Sequence, residues 1–70
     1  MEALAGKRYR HYKGNEYEVL YIATHTETEE GLVIYRALQD PEKVWARPRA
    51  MFEEEIEIDG KMMPRFTPIG

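Results

Sequence analysis

Turn-forming residues interrupt this chain so often that the stretches between them suit strands better than helices. The interruptions are the segments KGNE and TETEEG, the turn QDPEK, Pro48 and the pair Asp59–Gly60. The runs between them are dense in aromatic and β-branched residues, a composition typical of strands. No run carries the sustained apolar i, i+3, i+4 spacing of an amphipathic helix. The sequence therefore predicts an all-β fold.

The segment EYEVLYIATH, residues 16–25, changes its apolar parity in the middle. Tyr17 and Val19 alternate with glutamates, whereas Leu20 and Ile22 fall on the opposite parity. Successive side chains of a strand point to opposite faces, so this strand keeps one buried face only if it bends or bulges. We therefore expect a bulge here, as at the corner of a small barrel.

The second half of the chain carries two proline signals and one hairpin signal. Pro41, with Asp40 before it, suits the second position of a type I turn. Pro48 removes a backbone donor and ends the strand VWAR, so RPRAMF is predicted to form a 3₁₀-like turn near residues 48–52. The Asp59–Gly60 pair predicts a two-residue hairpin that returns KMMPRF antiparallel to EEIEI.

Five to six short strands without a sustained helix leave few architectures. The best fit is a small SH3-like, partly open antiparallel β-barrel, which hides strand edges that would otherwise invite aggregation. We expect a single domain over residues 7–70, preceded by frayed residues 1–6, since MEALAG carries no pattern that would hold it in place. A chain of this length buries only about 60% of the surface of its unfolded form, so the core is thin.

The chain contains no cysteine and no long apolar segment. Without disulfides or thiolate ligands, packing alone must stabilise the domain, which fits a reducing compartment. No run approaches the ~20 apolar residues that span a bilayer, and the N-terminus lacks the apolar core of a signal peptide. We therefore expect a soluble, cytoplasmic protein without membrane contact. The net charge of −3 at pH 7 disfavours long-range attraction to a nucleic-acid backbone.

Five segments with distinctive residues follow one another along the chain. They are YRHYKGNEYEVL at 9–20, IATHTET at 22–28, VIYRAL at 33–38, WARPRAMF at 45–52 and IDGKMMPRF at 58–66. In this order they resemble a family of small bacterial proteins known as a domain of unknown function, characterised by YRHYKG, YRAL and W-x-RP-x-x-MF motifs. The resemblance covers nearly the whole chain from Tyr9. It implies a compact, mostly β domain with an SH3-like cast, and it implies no activity.

Aromatic and basic residues gather around one strand and its neighbours. On the strand VWAR, Val44 and Ala46 share one face, whereas Trp45 and Arg47 share the other. A face with a large aromatic ring and a guanidinium suits planar or anionic ligands, through stacking and bidentate hydrogen bonds. The candidate ligand-binding residues are Tyr12, Tyr35, Trp45, Arg47 and Arg49. The alternative is that Trp45 packs with Tyr35 over the core while Arg47 pairs with a strand glutamate.

Catalytic and metal-binding patterns are weak or missing. His11, His25 and a glutamate are weak candidates for a metal site, but neither histidine belongs to a close-spaced ligand motif, and hydrogen bonds to nearby backbone are the alternative. The sequence has no nucleophile elbow, phosphate-binding glycine loop or H-E-x-x-H helix. Glu53, Glu55 and Glu57 alternate on one water-facing side and form no carboxylate pair across a cleft. We therefore expect neither an enzyme nor a cofactor.

These observations favour a binding or interaction module. The leading hypothesis is a protein or peptide partner, because SH3-like barrels dock extended segments along aromatic-lined grooves. The alternative is a nucleotide or a single-stranded nucleic acid bound by the same face, since small β-barrels hold such ligands by stacked aromatics and a basic track. Salt separates the two, because phosphate contacts weaken steeply as the ionic strength rises.

Overall fold

Five strands form one antiparallel sheet in this protein, and two more form a separate hairpin. These counts refer to residues 3–69, the part of the chain that the computed structural model describes. The elements are β1 (Arg8–His11), β2 (Glu16–Thr24), β3 (Gly31–Ala37), β4 (Val44–Pro48), α1 (Arg49–Phe52), β5 (Glu55–Ile58), β6 (Lys61–Pro64) and β7 (Phe66–Ile69). The large sheet has the order β4-β3-β2-β1-β7, so β4 and β7 are its edges.

The all-β class and the open antiparallel architecture are confirmed, because the two edge strands do not pair to close a barrel. The described residues form seven strands where the sequence predicted five or six, and the unpredicted strand is β7. The chain leaves the hairpin after Pro64, and the next strand pairs with β1, where Phe66 lies opposite His11. No helix in the described part of the chain has the length and apolar character needed to cross a membrane.

The predicted bulge in β2 lies at Leu20. Val19 pairs with Tyr35 of β3, and the next paired residue, Tyr21, lies opposite Ile34, so Leu20 has no partner across the ladder. The extra residue reverses the faces of the strand. Val19 before the bulge is fully buried, and Ile22 after it packs against the same core, so both halves of β2 contribute apolar side chains to one face.

The core is a cluster of aromatic rings on one face of the large sheet. Phe52 and Phe66 stack in parallel, with ring centroids 4.0 Å apart and planes 8° apart. The edges of Tyr9 and Tyr35 meet Phe52 at centroid distances of 5.5 and 5.4 Å. Small residues and β-branched residues complete the buried cluster, which consists of Ala3, Tyr9, Val19, Val33, Tyr35, Phe52 and Phe66.

The turn after Pro48 is α-helical rather than 3₁₀. The amide of Glu53 donates to the carbonyl of Arg49 at 3.0 Å, which is the i→i+4 bond of an α-turn. Pro48 itself remains extended, with φ −52° and ψ 134°, and ends β4 as expected. The side chains of Arg49 and Glu53 also pair across this spacing, at 2.8 Å, which supports the α-turn. The turn directs Phe52 into the core.

The domain begins earlier than the predicted boundary at residue 7. Ala3 is fully buried, and its amide donates to Oε2 of Glu53 at 2.7 Å. The amide of Leu4 donates to the hydroxyl of Tyr9 at 2.9 Å, and the amide of Gly6 donates to the carbonyl of Val19 at 2.8 Å. The prediction of fraying is therefore wrong for residues 3–6, because acceptors distant in sequence hold this segment. Residues 1 and 2 lie outside the described residues.

The carboxylate of Glu53 gives this attachment a pH dependence. Burial of the carboxylate acts to raise its pKa, but hydrogen bonds from Arg49 and from the Ala3 amide outweigh burial and hold the pKa below its ordinary value of 4.5. A carboxylate whose pKa is lower in the folded state stabilises the fold above pH 4.5, and this contribution is lost as the pH falls through the folded-state pKa.

We expect Glu53→Gln to lower the free energy of unfolding by about 1 kcal/mol at pH 7, because the charged hydrogen bonds to Arg49 and Ala3 are weakened. The variant should also lose less stability than the wild type when the pH falls below 4.5. Urea unfolding at a series of pH values measures both effects. Glu57→Gln, on an exposed hairpin position, is the matched control and should behave as the wild type. Equal acid sensitivity in the Glu53 variant would contradict this account.

The hairpin of β5 and β6 is closed by the predicted two-residue turn. Asp59 and Gly60 both have positive φ, 51° and 80°, as a type I′ turn requires. Ile58 and Lys61 flank the turn as paired residues. The connection from the hairpin to the sheet runs through Arg65, whose amide donates to the carbonyl of Glu54 at 3.1 Å.

Candidate binding groove

A groove of about 640 Å³ opens beside the edge strand β4, over the aromatic core. Its walls come from β1, β2, β3, β4, α1 and the start of β7, so it is assembled from segments that are distant in the sequence. We refer to this cavity as the groove. It is lined by His11, Tyr17, Tyr35, Trp45, Ala46, Arg47, Pro48, Met51, Arg65 and Phe66.

Trp45 is a wall of the groove. It lies opposite Tyr35 in the pairing of β3 and β4, and Arg47 lies opposite the buried Val33, so both β4 side chains project on the core face. The Trp45 ring contacts Tyr35 and Tyr17 at centroid distances of 5.8 and 5.7 Å. The Trp45 side chain is 40% exposed to solvent, whereas Tyr35 is only 4% exposed. Trp45 therefore covers the core and presents a surface at the same time.

Arg47 lies over the ring of Phe66, with its guanidinium carbon 5.6 Å from the ring centroid. Four other arginines form ion pairs: Arg10 with Glu16, Arg36 with Glu18, Arg49 with Glu53 and Arg65 with Glu54. Within residues 3–69, Arg47 has no carboxylate at salt-bridge distance. The alternative in which Arg47 pairs with a strand glutamate is therefore wrong, and the guanidinium faces the groove uncompensated.

Two further nitrogen-bearing side chains lie at the same end of the groove. Arg65 donates from Nε and Nη2 to a single oxygen of Glu54, at 3.1 and 2.5 Å. His11 meets the Phe66 ring edge-on at 5.0 Å, and its Nδ1 accepts a hydrogen bond from the amide of Lys13 at 3.2 Å. Burial lowers the pKa of His11 below its ordinary value, and the positive charges of Arg47, Arg65 and Lys13 lower it further. This end of the groove is electropositive.

The structure brings together three of the five predicted site residues. Tyr35, Trp45 and Arg47 line the groove, whereas Tyr12 and Arg49 do not. Tyr12 is tilted against His11 at a centroid distance of 4.5 Å and lies outside the groove. Arg49 donates to Glu53 and, at 3.2 Å, to the carbonyl of Ala3. Its role is to hold the N-terminal segment against α1.

The groove also contains residues that the sequence did not nominate. Tyr17 showed a signal, because it shares the buried parity of β2 with Val19. Met51 precedes the buried Phe52 on α1 and is 46% exposed at the rim. Phe66 gave no local signal, because its strand was not predicted. Arg65 directly precedes this unpredicted strand in the chain, so only the tertiary structure identifies it as a residue of the groove.

Both histidines hydrogen-bond to nearby backbone amides, as the sequence suggested. Nδ1 of His25 accepts from the amides of Glu27 and Thr28 at 3.1 and 3.3 Å, which orders the loop between β2 and β3. His11 is bonded in the same way to Lys13. Nowhere in residues 3–69 do three or more His, Asp or Glu side chains group as ligands for a metal ion.

Comparisons with known proteins relate this chain to one family. The model of the family described as a protein of unknown function, DUF1653, matches residues 7–68. The chain is also similar to the crystal structure of a protein of this family from Bordetella bronchiseptica, with 31% sequence identity and a TM-score of 0.81 over 96% of this chain and 88% of that chain. Comparison with curated proteins gives no match. The chain therefore belongs to the DUF1653 family, whose function is unknown.

Proposed function

We propose that this domain is a non-catalytic binding module whose groove holds an extended segment of a protein or peptide partner. The observation that carries the proposal is Arg47, an uncompensated guanidinium over the Phe66 ring in an open groove beside an edge strand. Apart from its contact with the Phe66 ring, a half-buried cation without a counter-charge adds little to the stability of a folded domain. A negatively charged group of a partner would form an ion pair with this guanidinium.

The edge strand β4 offers the backbone groups that an extended segment needs. It pairs with β3 on one side, and residues 44–47 make no other backbone hydrogen bond within the described chain. Exposed edges bind extended peptides as an additional strand, in which main-chain hydrogen bonds give affinity and side-chain contacts give specificity. Because the edge is short and ends at Pro48, it favours a short segment over a long sheet extension.

The side chains of β4 set the chemistry of the segment. Trp45 and Arg47 are two residues apart and project on the same face, at the spacing of alternate side chains of a strand. A bound segment with an apolar side chain and an acidic side chain on one face matches this pair. Trp45 supplies contact area at little cost in side-chain freedom, as aromatic residues do at interfaces.

The second candidate function is binding of a nucleotide or a single-stranded nucleic acid. It is favoured by the half-exposed Trp45 beside Arg47, since a base stacks on such a ring and a phosphate pairs with the guanidinium. The net charge of −3 and the exposed glutamates of β5, Glu55 and Glu57, oppose a long phosphate backbone. We therefore rank it second.

The proposal is tested by selecting binders from a displayed library of random decapeptides and from a pool of nucleotides and oligonucleotides. We expect peptides with an acidic residue to be enriched, and their binding to change the emission of Trp45, the only tryptophan of the chain. Binding should weaken only modestly with salt. Enrichment of oligonucleotides alone, with a steep salt dependence, would replace the peptide proposal with the second candidate.

We expect Trp45→Ala to lower the affinity for the selected peptides by about tenfold or more, because a half-exposed aromatic at the centre of a groove supplies much of the contact energy. Tyr21→Ala is the control, since Tyr21 is 68% exposed and lies outside the groove. Titration of both variants followed by calorimetry gives the comparison. Equal loss of affinity in the two variants would place the binding surface elsewhere.

A further inference from the structure

Three nitrogen-bearing side chains lie at one end of the groove, and two of them contact the ring of Phe66. The guanidinium of Arg47 lies 5.6 Å from the ring centroid, and the imidazole of His11 lies 5.0 Å from it. Arg65 is the neighbouring residue in the chain and lines the same cavity. All three are half-buried, so their charges are less screened than those of the exposed surface.

The charges at this end are only partly compensated. Arg65 is neutralised by Glu54, and Arg47 has no carboxylate partner within residues 3–69. The ammonium of Lys13 lies above the Tyr12 ring, 5.8 Å from its centroid, and adds to the field at His11. One uncompensated guanidinium matches one negative charge. A carboxylate, which is a monoanion with two oxygens in the geometry of the guanidinium fork, fits this end better than a phosphate dianion.

The neutral form of His11 supplies a hydrogen-bond donor. Its Nδ1 accepts from the Lys13 amide and is therefore unprotonated, so the ring hydrogen is on Nε2. The donor hydrogen is present at neutral pH without a further charge on the ring. A ligand oxygen near Arg47 and His11 can thus accept from both.

We propose that this end of the groove is a carboxylate-binding subsite, in which Arg47 is the principal ligand and His11 is a second donor, with the Arg65–Glu54 ion pair beside them. The inference rests on the proposed peptide-binding function and specifies which group of the partner enters the groove. The carboxylate is either an acidic side chain or the C-terminus of the bound chain, since both present the same planar anion.

Binding at this subsite is linked to protonation of His11. The positive charges of Arg47, Arg65 and Lys13 act on His11 in the free domain, and the carboxylate of Glu54 is paired with Arg65. A bound carboxylate offsets the charge of Arg47, so the pKa of His11 rises on binding. Because the complex then holds a proton more tightly than the free domain, the affinity increases as the pH falls.

The experiment follows both histidine side chains by NMR during pH titrations, with small blocked peptides as probes. The probes are acetyl-Ala-Glu-Ala-amide, acetyl-trialanine with a free C-terminus, acetyl-Ala-Gln-Ala-amide and inorganic phosphate. We expect at least one carboxylate probe to raise the pKa of His11 and to bind on the order of threefold more tightly at pH 5 than at pH 8. The glutamine probe should have no effect, and the two carboxylate probes together identify the source of the group.

His25 is the internal control, because it caps the loop between β2 and β3 and does not line the groove. Arg47→Gln should abolish the response of His11, whereas Arg8→Gln, at an exposed position outside the groove, should preserve it. The proposal is overturned if His11 does not respond to either carboxylate probe, or if the response survives in Arg47→Gln. It is also overturned if inorganic phosphate binds more tightly than both carboxylate probes at the same ionic strength.

The test separates this inference from the function on which it rests. Library peptides that bind through Trp45 without any response of His11 would refute the carboxylate subsite and leave the binding module intact. Carboxylate probes that shift His11, together with a library that yields no peptide, would support the subsite and refute the peptide partner.

Discussion

Replacing Phe52 with alanine is expected to unfold most of the domain at 25 °C. Phe52 is fully buried, stacks on Phe66 at 4.0 Å and receives the edges of Tyr9 and Tyr35. Removal of a buried phenylalanine ring costs about 3–5 kcal/mol. A core of this size supplies only about 3–5 kcal/mol of net stability, so the loss is comparable to the whole. Circular dichroism and urea unfolding measure the effect.

Met51→Ala is the matched control for this prediction. Met51 is the adjacent residue on α1 and is 46% exposed, so its truncation should change the free energy of unfolding by less than about 1 kcal/mol. It lines the groove, and it should therefore weaken peptide binding while the fold is retained. Similar destabilisation by the two substitutions would mean that α1 contributes as a backbone element and that the Phe52 ring is not its anchor.

Arg47→Ala is expected to reduce the affinity for the selected peptides by about 10- to 100-fold, because a hydrogen-bonded charged group contributes about 1.5–3 kcal/mol. The fold should be retained. Loss of the contact with Phe66 removes about 0.5–1 kcal/mol, and relief of the positive charge near His11 and Arg65 acts in the opposite direction. The midpoint of urea unfolding should therefore change little, while fluorescence titration at fixed salt reports the loss of affinity.

Arg47→Lys distinguishes charge from geometry. Lysine keeps the positive charge but lacks the planar fork that binds a carboxylate with two hydrogen bonds, so its affinity should lie between those of the wild type and Arg47→Ala. Arg36→Ala is the control for a general charge effect, since Arg36 is paired with Glu18 and does not line the groove. Equal loss of affinity in the Arg36 and Arg47 variants would contradict a specific role for Arg47.

The parts of the fold that depend on neighbouring residues were predictable from the sequence. The bulge at Leu20 followed from a change of parity, and the type I′ turn followed from the pair Asp59–Gly60. The shared face of Trp45 and Arg47 followed from their spacing of two on a strand. Both residues line the groove. Each of these signals lies within a few residues.

The parts that depend on distant residues were not predictable. Ala3 is held by Glu53, fifty residues away, and no local pattern in MEALAG indicates such an acceptor. The strand β7 has four residues and contains Pro68, which is tolerated because β7 is an edge strand. So short a segment with a proline shows no recognisable strand periodicity. Because β7 was not predicted, Phe66 was not recognised as a residue of the groove. Arg49 was nominated because of its neighbours in the sequence, whereas its contacts with Glu53 and Ala3 are visible only in the folded structure.

The pairing of β1 with β7 affects the order in which the domain is completed during synthesis. Arg8 lies opposite Ile69 and His11 opposite Phe66, so β1, the first strand of this sheet in the chain, pairs with β7, its last strand. Until residues 66–69 emerge, β1 has an open edge, and Phe52 lacks the ring on which it stacks. The nascent chain can form the β1 to β4 part of the sheet before Phe66 joins the core. The domain therefore completes its sheet only after β7 has been synthesised, and any binding by the groove begins only when Phe66 is in place.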